Sequence, residues 1–127
     1  MKGPWKLAAV GLAGVVVGVT GFGMVEAQAT PRAYIVAEVQ VSDSAAYRPY
    51  VQRTGPIVAQ YGGRYLARGG ATQSFEGTAP AGRIALIEFP NLAALQRFES
   101  SPEYREGVPI RHRAATSRVY AVEGVMP

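Results

Sequence analysis

An α+β domain with the element order β-α-β-β-α-β is what this sequence predicts, and three observations predict it. Two β-branched runs, "AYIVAEVQV" at 33–41 and "RIALIEF" at 83–89, have the length and composition of strands. Each is followed by a stretch whose apolar residues recur three and four apart, as on one face of a helix. Glycine pairs and a Gly/Pro-rich loop punctuate the rest, leaving room for one further strand in each half.

Taken in order, the first strand places Ala33, Ile35, Ala37, Val39 and Val41 on one face and Tyr34, Val36, Glu38 and Gln40 on the other. Both faces are substantially apolar, so both need cover, and Glu38 needs a partner or water. Ser42 or Asp43 is placed to cap a helix whose inner face holds Tyr47, Tyr50, Val51, Thr54, Val58 and Tyr61. Gly55-Pro56 predicts a kink near Arg53, and Gly62-Gly63 ends the helix. The second strand is "RYLARGG", in which strict alternation sets Arg64, Leu66 and Arg68 on one face and Tyr65, Ala67 and Gly69 on the other. After the polar loop "ATQSFEGTAPAG" comes the third strand at 83–89. Asn91 caps the next helical stretch, with Leu92, Leu95 and Phe98 inward, and Ser101-Pro102-Glu103 restarts it. Pro109 is expected to bend or end that piece, and "RVYAVEG" at 118–124 is the fourth strand. This order is the ferredoxin-like arrangement, an antiparallel sheet with helices on one face. The other face, carrying Val36, Ile84 or Ile87, and Tyr120 or Val122, is then expected to pack on the sheet of a second copy.

The first 29 residues read differently. Lys2 and Lys6 precede a run of 19 uncharged residues from Leu7 to Val25, and Ala27-Gln28-Ala29 follows. That is the layout of a signal peptide cleaved after Ala29, so export to the periplasm or beyond is expected. A retained membrane anchor is the alternative, since a bilayer core needs about 20 apolar residues. The expected organisation is a leader at 1–29 and one domain at 30–127. All 11 basic residues of that domain are arginines, spread along it with 8 acidic residues. No basic run with interleaved aromatics occurs, which argues against nucleic acid as a partner. The absence of cysteine excludes disulfides, lipid attachment through cysteine and thiolate chemistry.

The ordered set "YGGRYLARGG", "FEGTAPAGRIALIEFPNLAALQRFESSPEY" and "IRHRAATSRVYAVEG" resembles the bacterial family known as domain of unknown function 1330, in the dimeric α+β barrel superfamily. The resemblance spans about residues 33–124 and implies a ferredoxin-like homodimer. The chain departs from the family pattern in its leader and in Arg97-Phe98, where an aromatic pair is usual. Other branches of the superfamily include cofactor-free monooxygenases, isomerases and haem-dependent peroxidases, so the resemblance leaves the reaction open.

Among residues able to carry chemistry, Arg68 and Arg111 are candidates to clamp a substrate carboxylate in a cleft closed by the "TQSFEG" loop, with Arg64 beside them. The competing reading is an internal ion-pair network with Glu38, Glu76 and Glu88 that fixes the dimer. Glu76 is the candidate general base, or else a turn acid paired with Arg64 or Arg68. Tyr104 of "SPEY" is a candidate substrate contact or a packing residue with a satisfied hydroxyl. His112, the one histidine, stands between two arginines, so neither a metal site nor a haem ligand is expected, and no cofactor is. Three functions fit these residues: a cofactor-free enzyme for a small acidic or aromatic substrate, a non-catalytic binding module, or a structural dimer.

Overall fold

The period-two run at Ala33–Val41 forms β1, the strand on which the sheet is built. In the computed structural model residues 29–127 are described, so the expected leader, apart from Ala29, lies outside the described residues. After β1 come α1 (Ser44–Gln60), β2 (Arg64–Arg68), β3 (Arg83–Phe89), α2 (Leu92–Ser100), α3 (Pro102–Arg105), α4 (Val108–Ala114) and β4 (Ala115–Glu123). The sheet order is β2-β3-β1-β4 with every neighbouring pair antiparallel, and the helices lie on one face. This is the ferredoxin-like α+β fold that the sequence predicts.

Local chemistry sets the element ends. The Asp43 carboxylate accepts from the Ala46 amide at 3.0 Å and starts α1, and the Asn91 side chain does the same for α2 from Ala94 at 2.8 Å. α1 closes with the paired bonds of a Schellman motif, Gly63 N–H to Val58 carbonyl at 2.9 Å and Gly62 N–H to Ala59 carbonyl at 3.0 Å. Pro49 and Pro56 lie within α1, which runs on to Gln60 and ends at Gly62-Gly63 as expected. Pro109 begins a helix rather than ending one, because it occupies the first turn of α4, where its missing N–H has no intrahelical acceptor to serve. β4 starts at Ala115, three residues before the expected Arg118, because Ala115, Thr116 and Ser117 pair with Val41, Gln40 and Val39.

The helix-facing side of the sheet buries Ala33, Ile35, Ala37 and Val39 of β1 with Ile87 and Phe89 of β3. Phe89, Phe98 and Val58 are the largest fully buried side chains and tie the sheet to α1 and α2. β2 departs from strict alternation. Its register against β3 shifts between Tyr65 and Ala67, so Leu66 is a bulge residue facing no partner. Arg64 pairs with Glu88 on the open face, whereas Arg68 pairs with Ala85 on the helix side, joining Tyr65 opposite Ile87. The expectation that Arg64, Leu66 and Arg68 share a face is therefore corrected by the bulge, which rotates Arg68 toward the helices.

On the open face, Val36, Ile84, Leu86, Tyr120 and Val122 form an apolar surface, with Tyr120 47% and Val122 52% exposed. Its β3 members are Ile84 and Leu86, whereas Ile87 faces the helices. Two cross-strand ion pairs flank it: Arg118 donates to Glu38, and Arg64 Nε donates to Glu88 Oε1 at 2.9 Å. The Arg64 hydrogen bond holds the Glu88 carboxyl below the usual carboxylate range, with Arg32 at 3.8 Å adding to it. Glu38 thus finds the partner that its strand position demands. Among the described residues no helix is long and apolar enough to cross a membrane.

Candidate anion pocket between sheet and helices

A cavity of about 50 Å³ lies between the sheet and α1, and the fold brings three arginines and four tyrosines to its wall. β1 supplies its apolar floor through Ile35, Ala37 and Val39. Tyr47 and Tyr50 arrive one turn apart on α1, Tyr65 and Arg68 from the bulged end of β2, Arg83 from the start of β3, and Tyr104 and Arg111 from α3 and α4. Two open hollows share its wall. One, of about 490 Å³, is entered past Tyr47, Val51 and Arg83, and the other, of about 330 Å³, past Glu99, Arg105 and Arg111.

Each arginine rests over a tyrosine ring. Arg68 lies 4.1 Å from the Tyr65 centroid, Arg111 5.5 Å from Tyr50 and Arg83 5.8 Å from Tyr47. None of the three makes an ion pair with a carboxylate among the described residues. Arg68 Nη2 donates to the Val51 carbonyl at 3.1 Å, passing beside Gly55, where a Cβ would stand 3.7 Å from its guanidinium. Gly69, at φ +72°, gives Arg83 its place: a Cβ there would lie 2.7 Å from Arg83 Nη2. Arg111 is 7% exposed, donates through Nη1 to the Ser117 hydroxyl, and leaves its buried Nε without a partner.

Three of the tyrosines, Tyr47, Tyr65 and Tyr104, hold their protons more firmly than an ordinary phenol. Tyr50 and Tyr104 share a hydrogen bond of 2.9 Å between their hydroxyls. Burial, reinforced by the neighbouring Tyr50, pushes Tyr104 far above the ordinary phenol range, and burial raises Tyr47 and Tyr65 as well. Kept protonated, the Tyr47, Tyr65 and Tyr104 hydroxyls are suited to hydrogen bonding rather than to nucleophilic attack. Glu99 has the opposite potential. Its side chain borders the cavity, its Oε2 is buried without a partner, and burial raises its pKa against the pull of Arg105 and Arg111.

Of the residues singled out from sequence, Arg68, Tyr104 and Arg111 meet in this cavity. Arg64 does not, being paired with Glu88 on the opposite face. Glu76 lies exposed on the loop 69–82, outside the cavity wall and without an ion pair among the described residues, so neither Arg64 nor Arg68 is its partner. His112 is exposed on α4, and no cluster of metal-ligating side chains occurs among the described residues. Sequence reasoning took Tyr47 and Tyr50 as plain core and passed over Arg83 and Glu99. The signal for Glu99 was present: it falls four residues after Leu95 and seven after Leu92, on the helix face that α2 turns inward.

Fold and pocket together define a ferredoxin-like α+β domain with a cationic, tyrosine-lined interlayer cavity. The chain belongs to the family described as Domain of unknown function (DUF1330), whose model matches residues 32–125. Comparison with curated proteins finds no match. Among solved structures, RPA0582 from Rhodopseudomonas palustris, a protein of unknown function, is 22% identical with a TM-score of 0.63, covering 85% of this chain and 94% of that one. SnoaB from Streptomyces nogalater, described as a cofactor-independent oxygenase, is 12% identical with a TM-score of 0.51, covering 77% and 97%. A protein of unknown function from Bacteroides thetaiotaomicron, described as a "possible oxidoreductase", is 14% identical with a TM-score of 0.51, covering 76% and 100%. These likenesses establish the shared fold.

Proposed function

We propose that the interlayer cavity binds a small carboxylate, with an aromatic or otherwise planar body lying in the adjoining hollow past Tyr47 and Arg83. One observation carries this reading: Arg111 is buried, permanently charged and, among the described residues, without a carboxylate partner, and Arg68 and Arg83 on the same wall are likewise unpaired with any carboxylate. A buried cation left uncompensated costs several kcal/mol, and an anionic ligand relieves that cost. The cavity itself holds only a few water-sized volumes, so it accepts the head group and the hollow takes the rest.

The test uses benzoate as probe and titration calorimetry as readout. Binding to the wild-type protein is expected to fall about 10-fold or more in R111Q and in R68Q, the range for losing a hydrogen bond to a charged group. R64Q, on the far face of the sheet, is expected to bind as the wild type does. No binding to the wild type, or equal loss in R64Q, would sink the proposal.

The same protein is proposed to be an exported homodimer that packs open face on open face. The exposed Tyr120 and Val122, continuous with Val36 and Leu86, support self-association, and the signal-peptide layout supports export. Native mass spectrometry of the protein from its host is expected to show two copies, each starting at Thr30. A monomer overturns the first part, and a chain retaining its first 29 residues the second.

A further inference from the structure

Several hydrogen-bonding groups around the cavity are satisfied within the protein. Tyr50 and Tyr104 bond each other, the Thr54 hydroxyl donates to the Tyr50 carbonyl at 2.6 Å, and Arg68 and Arg111 each hold one acceptor. Two buried atoms on the same wall remain without partners: the Arg111 Nε–H donor and the Glu99 Oε2 acceptor. Buried polar atoms are satisfied in nine cases of about ten, so a donor and an acceptor left over together point to a ligand that presents the complement of both. A carboxylate alone supplies acceptors for the arginine and nothing for Glu99. A molecule with an acidic hydrogen next to a carbonyl oxygen supplies both.

Resting on the binding reading above, we propose that Glu99 is the acid–base catalyst of this cavity and that its substrates are enolisable 2-oxo acids. The substrate carboxylate lies between Arg68 and Arg111, the pair on which the binding reading rests, and its adjoining carbonyl oxygen faces Arg111 Nε. Glu99 takes a proton from the carbon beside the carbonyl: that C–H bond breaks and an O–H bond forms at Oε2. The electron pair becomes the C=C bond of an enolate, and the carbonyl π pair moves to the oxygen that Arg111 holds. Return of a proton to carbon or oxygen completes a keto–enol interconversion, with no oxidant or reductant needed.

The placement of Glu99 suits proton exchange. Its Oε1 lies 3.9 Å from Arg105, which lines the 330 Å³ hollow, while Oε2 is turned to the buried side. The charged and titratable groups around it are Arg105 and Tyr104 of α3 and Arg111 of α4. Burial is the largest influence on its acidity and keeps it a stronger base than an exposed glutamate.

The test uses phenylpyruvate in heavy water, with exchange of its C3 hydrogens followed by proton NMR and its affinity measured by calorimetry. The wild type is expected to accelerate exchange over buffer, and E99Q to lose about 100-fold of that rate while its affinity stays within about threefold. A second readout is independent of turnover. Below the unfolded value of 4.5 both states hold the Glu99 proton, so E99Q and the wild type should differ little in stability. As pH rises through the raised folded value, the wild type loses stability that E99Q keeps, and the E99Q melting temperature should move above it. Binding without accelerated exchange, or exchange undiminished in E99Q, overturns the catalytic role and leaves the binding site standing. Failure of both phenylpyruvate and benzoate to bind overturns the site itself.

Discussion

Replacing Gly82 by alanine is expected to destabilise the domain by about 2 to 5 kcal/mol, the largest effect of any single methyl group added to it. Gly82 turns the loop into β3 at φ +70°, where an L side chain costs about 1 to 2 kcal/mol. Its Cβ would also sit 2.7 Å from the Val39 carbonyl carbon and from the Gln40 Cα, and closer still to the Val39 oxygen. Those atoms belong to β1, held on both sides by β3 and β4, so they cannot yield as a flexible side chain would. For a domain of this size the melting temperature should fall by roughly 10 °C or more. Gly70→Ala is the matched control, since a Cβ there meets nothing within 4 Å. Equal melting curves for G82A and the wild type would show that the β1–β3 entry is looser than its geometry.

Phe98→Ala is expected to cost about 3 to 5 kcal/mol, the usual range for removing a buried aromatic ring. Phe98 is 1% exposed and its ring centroid lies 4.4 Å from Tyr104, 5.3 Å from Phe89 and 6.3 Å from Tyr61. It therefore joins α2, α3, β3 and the end of α1 in one cluster, and it also forms part of the cavity wall. Truncation opens a void that the surrounding rings cannot fill without leaving their own contacts. Chemical denaturation should show a lowered midpoint with an unchanged slope, and F98L should recover about half of the loss. Recovery to wild-type stability in F98A would mean that the cluster collapses around the gap.

Much of this architecture was legible from the chain because hydrophobic periodicity and capping chemistry act over short range. Asp43, Asn91 and Ser101 cap the helices, and β1 carries its inward set at Ala33, Ile35, Ala37 and Val39, because each of those outcomes is decided within a few residues. The bulge at Leu66 was not legible. β2 has five residues and only one inward apolar ring, Tyr65, so alternation alone could not reveal a slipped register. That slip is what separates Arg64 from Arg68, and with them the open face from the cavity. The position of Glu76 was not legible because nothing local fixes where a loop side chain goes, and the convergence of Arg68, Tyr104 and Arg111 comes from long-range packing that only the folded chain displays. Pro109 misled for a simpler reason: proline marks a lost N–H, and whether that loss matters depends on its position within the turn.

β1 serves two masters one residue apart. Ile35, Ala37 and Val39 floor the cavity, while Val36 and Glu38 stand on the open face between the apolar patch and Arg118. Inserting or deleting a single residue in the middle of this strand would exchange the two sets beyond that point. Glu38 would enter the pocket beside Arg111, and Ala37 would take its place in the surface patch. The strand is thus a reading frame in three dimensions, shared by the proposed ligand pocket and the proposed self-association face: a one-residue insertion or deletion in β1 is expected to disrupt both, whereas a point substitution can alter either one alone.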